Sequence, residues 1–218
     1  NNHANQLSEL VPPSLIYSEL GRFVKAGATQ FFLVNVSDIR PVPLSTDCAM
    51  RFAWDATPYL GKTDARNMDA FLSDWSRRQF GDSIGDAIAA FYARYFDIEY
   101  DLDYRTGPRR SGENSLHVQV RREIAVSFDD IAAGKPLSAV KLNRVRNAQK
   151  KLSASRPLVT KLAAEAAALA ANVPGEHRAF FQAHVLTPMQ IHLHSLKMLD
   201  NYLAVLTAYS QGDKAKAI

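Results

Sequence analysis

Hydrophobic and polar positions along the chain alternate mostly with a helical period. Pro12-Pro13-Ser14 reads as a helix start, Leu15, Ile16, Leu20, Phe23 and Val24 follow at helical spacing, and Gly27 supplies the stop. The pattern then changes. Thr29 to Val36 is a run of apolar, partly β-branched residues that ends in Asn35, Ser37 and Asp38 before the turn at Pro41. Such a run predicts a strand buried on both faces, as in a parallel sheet. A single strand leaves its backbone donors and acceptors unpaired, and no second convincing parallel strand follows, so its sheet partners are expected upstream or on another chain.

Downstream the reading is helical. Pro41 to Asp47 is expected as loop and cap, and Ala49, Met50, Phe52, Ala53 and Trp54 as a short helix. Asp64 can cap a helix to about Phe80 that carries Met68, Phe71, Leu72 and Trp75 on one face. Gly81-Asp82-Ser83 is a turn before a helix with Ile84, Ile88, Phe91, Tyr92, Tyr95 and Phe96. Thr106 to Gly112 is expected as a loop. Leu116 to Phe128 fits helix or short strand, with helix assigned from Ile124 to Ala133. Ser138–Ala154 and Arg156–Asn172 are expected as two helices, with Pro157 in the first turn of the second. A further helix begins near His177, Pro188 should reset or kink it, and the last helix runs to about Gln211-Gly212. The fold class expected is mainly α: a last αβ unit of a (β/α)8-type barrel over residues 1–62, then an α-helical bundle over 63–218.

Composition narrows the function classes. The chain has 218 residues, of which 47% are hydrophobic, enough for a sizeable core. No apolar run approaches the ~20 residues of a membrane helix. Asn1-Asn2-His3-Ala4-Asn5-Gln6 has neither the basic start nor the apolar stretch of a signal peptide, and it lacks Met, so a processed or partial chain is expected. The net charge of +4 is too mild to imply nucleic acid, and the basic positions between Lys141 and Arg156 read as a solvated helix face. One cysteine, Cys48, excludes an internal disulfide or a cysteine-built zinc site, and it reads as a packing residue.

Candidate chemistry is sparse. In α/β sheets and barrels ligands bind at the carboxyl ends of strands, which singles out Asn35 and Asp38 as substrate-binding candidates. Asn35 offers both a donor and an acceptor; Asp38 is either a base or a residue that holds the turn. Trp54 fits a sugar-stacking platform or a core position, and helical spacing favours the core. Asp55 most simply ends its helix. His192 and His194 point to different faces of a helix, and His184 lies in another turn, so no metal site is expected. Asp97, Glu99, Asp101 and Asp103 read as solvent-facing. No phosphate loop, nucleophile elbow or zinc-helix motif is present, and no cofactor is expected.

Three segments together resemble glycoside hydrolase family 115. Gly27 to Pro41 followed by Arg51-Phe52-Ala53-Trp54-Asp55 is similar to its "GA…WIVNVGDLKP" strand and turn preceding "FFLDYAWN". Phe71 to Gly81 is similar to its "W…R.FG" helix, and Arg178 to Met189 to its "AFF.LV.YPV", with Tyr209-Ser210-Gln211-Gly212 in the "YA.QG" position. Ser37 stands where the family has Gly, Arg40 where it has Lys, Cys48 to Arg51 where it has aromatic and Asp residues, and Thr187 where it has Tyr. The resemblance implies an α-glucuronidase that removes glucuronic acid or its 4-O-methyl ether from xylan with inversion, using two carboxyl groups ~6.5–9.5 Å apart. The family's motifs for these acids are absent here, so the catalytic acids are expected outside this chain. By the same resemblance Asn35 contacts the substrate region, and Asp38 holds the loop. The partners implied are a glucuronoxylan or related uronic-acid-bearing glycan and the N-terminal portion of the barrel, with no nucleic acid and no membrane; homo-oligomerisation stays open. Secretion or a periplasmic location would follow. A non-catalytic helical interaction module is the competing expectation.

Overall fold

The computed structural model describes residues 9, 11–34, 39–60, 65–98 and 116–212, with the backbone alone for 65–68 and 116–123. The described residues are mainly helical, and no strand forms among them. Eight α-helices follow in order: α1 Pro13–Lys25, α2 Pro43–Trp54, α3 Ala65–Phe80, α4 Asp82–Tyr95, α5 Leu116–Ala132, α6 Ala139–Ala170, α7 Arg178–Phe181 and α8 Thr187–Ser210. They fall into two units. The first comprises residues 1–97 and 164–188, the second 98–163 and 189–218.

The first unit is built on aromatic side chains. Trp75 on α3 meets Phe80 and Tyr92 edge-on, with ring centroids 5.8 and 5.7 Å away. Phe80 in turn packs against Phe180 and Phe181. Tyr17 of α1 lies between Phe52 of α2, Tyr59 and Phe71 of α3. Edge-to-face and offset pairs of this kind add to the area they bury, because ring edges and faces carry opposite partial charge. Gly81 is the whole link between α3 and α4, at φ +87, where side chains are strained. Four residues on, a Cβ at Gly85 would lie 2.6 Å from the Arg77 Cα, so glycine allows the two helices their close approach. The "W…R.FG" motif is thereby explained as architecture: Trp75 and Phe80 are core, and Gly81 is the turn. Arg78 closes a ring of ion pairs in which Arg51 and Arg78 each bind both Asp47 and Asp74 at 3.0–3.1 Å.

Three local outcomes differ from the sequence pattern. Thr29–Val34 forms neither helix nor strand, and Phe31 and Leu33 are 81% and 80% exposed. This is what an apolar strand sequence must do when no neighbouring strand accepts its backbone bonds. Second, α2 starts at Pro43, before the expected loop ends. Pro43 lacks an N–H and suits a first helical position, while the free amides of Leu44 and Ser45 donate to the carboxyl of Glu9, at 2.7 Å for Leu44. A cap 35 positions away in sequence has no local signature. Third, α6 runs unbroken through Pro157, so the two expected helices are one.

Pro188 does reset its helix. The backbone is helical from Arg178 to Ser210, but Gln182–Leu186 widens into one π turn in which the Thr187 N–H reaches the Gln182 carbonyl. Pro188 has no N–H to give to the His184 carbonyl. The Tyr92 hydroxyl donates to that oxygen instead, at 2.9 Å.

The second unit has an aliphatic core. Val145, Ala148, Leu152, Val159 and Leu162 of α6 and Met189, Leu196, Leu199, Leu203 and Leu206 of α8 are all buried. Leu116–Ala132 resolves the helix-or-strand ambiguity in favour of helix. The basic positions of α6 behave as a solvated face: Arg144, Arg146, Lys150 and Lys151 are exposed, and Lys141 pairs with Asp130 at 2.6 Å.

Candidate functional site

Asn35 and Asp38 lie outside the described residues, as do Asp64, the loop expected over Thr106 to Gly112, and Glu99, Asp101 and Asp103 of the acidic run. The described residues nearest them, Val34 and Ile39, both expose their side chains.

The remaining candidate is a groove at the C-terminal end of α2. Met50, Arg51 and Trp54 come from the helix itself. Asp55 ends it, its carboxylate accepting the Thr57 N–H at 2.9 Å and so starting the turn that returns Pro58 and Tyr59. The Tyr59 ring is fixed by stacking on Tyr17, with centroids 4.7 Å apart. These six residues line about 390 Å³. Trp54 is 92% exposed, which overturns the core position its spacing suggested. Helical period says which residues share a face. It does not say whether anything covers that face.

The chemistry available here is binding. A bare indole face beside a tyrosine can stack on a flat ring or on the apolar face of a sugar. Arg51 already holds Asp47 and Asp74. Among the described residues Asp55 is the only carboxylate lining the groove, so they bring no acid–base pair to it.

The histidines have structural surroundings. The His184 ring lies 4.1 Å from that of Phe180, and burial, then the nearby Arg40 charge, pushes its imidazole below the usual range. His192 is buried in the second unit and pushed down to about 4 by burial, whereas His194 on the same helix is exposed. Among the described residues no three His, Cys, Asp or Glu side chains gather as a metal centre would need. Cys48 is fully buried and its thiol is pushed up to about 12, first by burial, which suits packing rather than nucleophilic chemistry. Among the described residues no helix is long and apolar enough to cross a membrane.

Residues 1–104 match the family model of glycosyl hydrolase family 115. No curated protein and no solved structure matches the chain. The resemblance seen in the motifs is thus borne out over the segment that carries α1 to α4, the groove and the first two motifs. The third motif, Arg178 to Met189, lies beyond the matched residues.

Proposed function

We propose that this chain contributes the C-terminal end of a catalytic barrel, with the helical domain behind it, to a family 115-like glycoside hydrolase. The substrate is a glucuronoxylan or a related uronic-acid-bearing glycan, from which (4-O-methyl)glucuronic acid is released by inverting hydrolysis. The catalytic acids lie outside this chain. Asn35 binds substrate from the turn after the strand segment, and Asp38 shapes that turn.

One observation carries this reading. Within the family-matched residues, Phe31 and Leu33 stand bare on a segment with the sequence of a fully buried strand. Neighbouring barrel strands would cover both faces and take up its backbone bonds. The test is an assay of uronic acid release from glucuronoxylan by this chain alone and by the protein extended through its upstream coding sequence. The longer protein is expected to release the acid first as the β-anomer, read by proton NMR, and the chain alone to release none. In the longer protein Asn35→Ala should lower the rate at least about tenfold, the worth of one good hydrogen bond. Release of the α-anomer, or full activity without Asn35, would sink the assignment.

The same bare apolar segment supports a second reading, a non-catalytic module whose strand segment adds to a partner's sheet. It takes over if the upstream sequence supplies no barrel strands and no paired carboxylates.

A further inference from the structure

Glu9 is the most deeply placed carboxyl group among the described residues, at 3% exposure. Its Oε1 accepts the Leu44 N–H at 2.7 Å, and the Ser45 N–H is shared between Oε1 and Oε2 at 3.3 Å each, replacing the cap that α2 lacks locally. Its backbone carbonyl accepts the Tyr95 hydroxyl at 2.8 Å. The segment before α1 is therefore fastened to α2 through the side chain and to α4 through the main chain.

Donor and acceptor accounting at Ser45 shows an asymmetry. Its Oγ is in hydrogen-bond contact with Glu9 Oε2 and also lies 3.2 Å from the Val11 carbonyl oxygen. A hydroxyl has one proton to donate, and a carboxylate and a carbonyl are both acceptors only. With Glu9 ionised, one of these two contacts has no proton in it. With Glu9 protonated, Oε2–H donates to Ser45 Oγ, Oγ–H donates to Val11, Oε1 still receives the Leu44 N–H, and the Ser45 N–H stays within reach of both carboxyl oxygens. Every contact then holds a proton.

We propose that Glu9, Ser45 and Val11 form a proton-dependent latch that ties the N-terminal segment to the start of α2 when Glu9 is protonated and loosens when it ionises. The surroundings support the protonated form. Among the described residues the titratable side chains acting with Glu9 are Cys48 on α2 and Tyr92 on α4, with Tyr95 bonded to its main-chain carbonyl, and none of these is a cation. Burial pushes the Glu9 carboxyl up to about 7, against the downward pull of its bonds to Ser45 and Leu44. An acid raised in the folded state contributes stability that is complete below its unfolded value near 4.5 and is lost as pH rises through about 7. The latch is thus poised to open across neutrality.

The experiment is amide hydrogen exchange on the 218-residue chain, reading Leu44 and Ser45 and correcting for the intrinsic rate at each pH. Protection at both amides is expected to fall about tenfold between pH 6 and pH 8, the linkage value for a carboxyl that titrates near 7 closed and near 4.5 open. Glu9→Gln places a neutral donor and acceptor in the same space. It should abolish that slope and, at pH 8, protect the two amides at least as well as the wild type. Protection that is flat or rises with pH in the wild type overturns the latch, and that measurement needs no variant. So does a Glu9→Gln protein that keeps the slope, or one less protected than the wild type at pH 8.

Discussion

The two units solve the burial problem with different materials. The first packs rings against rings around Trp75, Phe80, Tyr92 and Tyr17, and locks α2 to α3 with a closed ring of two arginines and two aspartates. The second packs leucine, valine and alanine from α6 and α8. Among the described residues the first unit buries the Glu9 carboxyl and the second the His192 imidazole, and the two have opposite chemistry. Glu9 in the first is an acid held towards its neutral form; His192 in the second is a base held towards its neutral form. A ring core depends on shape, because a flat polar-edged group fits one orientation. An aliphatic core depends mainly on volume. The family match covers residues 1–104, which hold α1 to α4 of the ring-built unit.

The strongest way to break this contrast is to exchange one side chain in each core. Trp75→Ala should cost about 3–5 kcal/mol, since it removes the ring on which Phe80, Tyr92 and Phe180 converge. Leu203→Met, a swap of similar volume at a fully buried position, should cost less than about 1.5 kcal/mol. Urea unfolding followed by far-ultraviolet circular dichroism measures both. Equal costs would remove the distinction between the cores.

Acid sharpens the comparison next. The His192 imidazole is pushed down to about 4 from the ordinary 6.5, so the unfolded chain takes up its proton first as pH falls. Its contribution is present above pH 6.5 and is lost as pH drops towards 4, about 3 kcal/mol in all. Glu9 works in the reverse direction, losing stability as pH rises from 4.5 to about 7. His192→Leu should flatten the acid side of the stability–pH curve while leaving the slope at Leu44 and Ser45 unchanged. A variant that keeps the acid-side loss would place that loss elsewhere.

The smallest effect concerns the π turn. Tyr92→Phe leaves the His184 carbonyl without its donor and should cost about 1–2 kcal/mol. In a Pro188→Ala background the helix regains an N–H at residue 188, and the same substitution should cost less. A double-mutant cycle on urea midpoints checks this, and strictly additive costs would separate Tyr92 from the proline.

Much of the fold was legible from period and punctuation. Pro13 and Gly27 bracket α1, Gly81 separates α3 from α4, and Pro188 marks the reset before α8, because proline and glycine act on their own backbone whatever surrounds them. Pro157 was misleading as a boundary, since α6 continues through it. The groove was half legible. Trp54 and Asp55 were both noticed, but the fate of Trp54 turned on what covers it. Glu9 was missed altogether, because a carboxylate that caps a helix 35 residues later looks in sequence like any surface acid.

The amino-acid sequence by itself determined that this protein is mainly helical, where most of its helices start and stop, and its match to the family 115 model over residues 1–104. These rest on local backbone preference, apolar period and short motifs, all written in neighbouring residues. Only the tertiary structure decided that Phe31 and Leu33 stand bare, that Trp54 faces a groove, that Tyr92 replaces the donor Pro188 lacks, and that Glu9 fastens the segment before α1 to α2. Each depends on what another part of the chain brings to the same place, since burial and hydrogen bonding are properties of neighbours in space and not of neighbours in sequence.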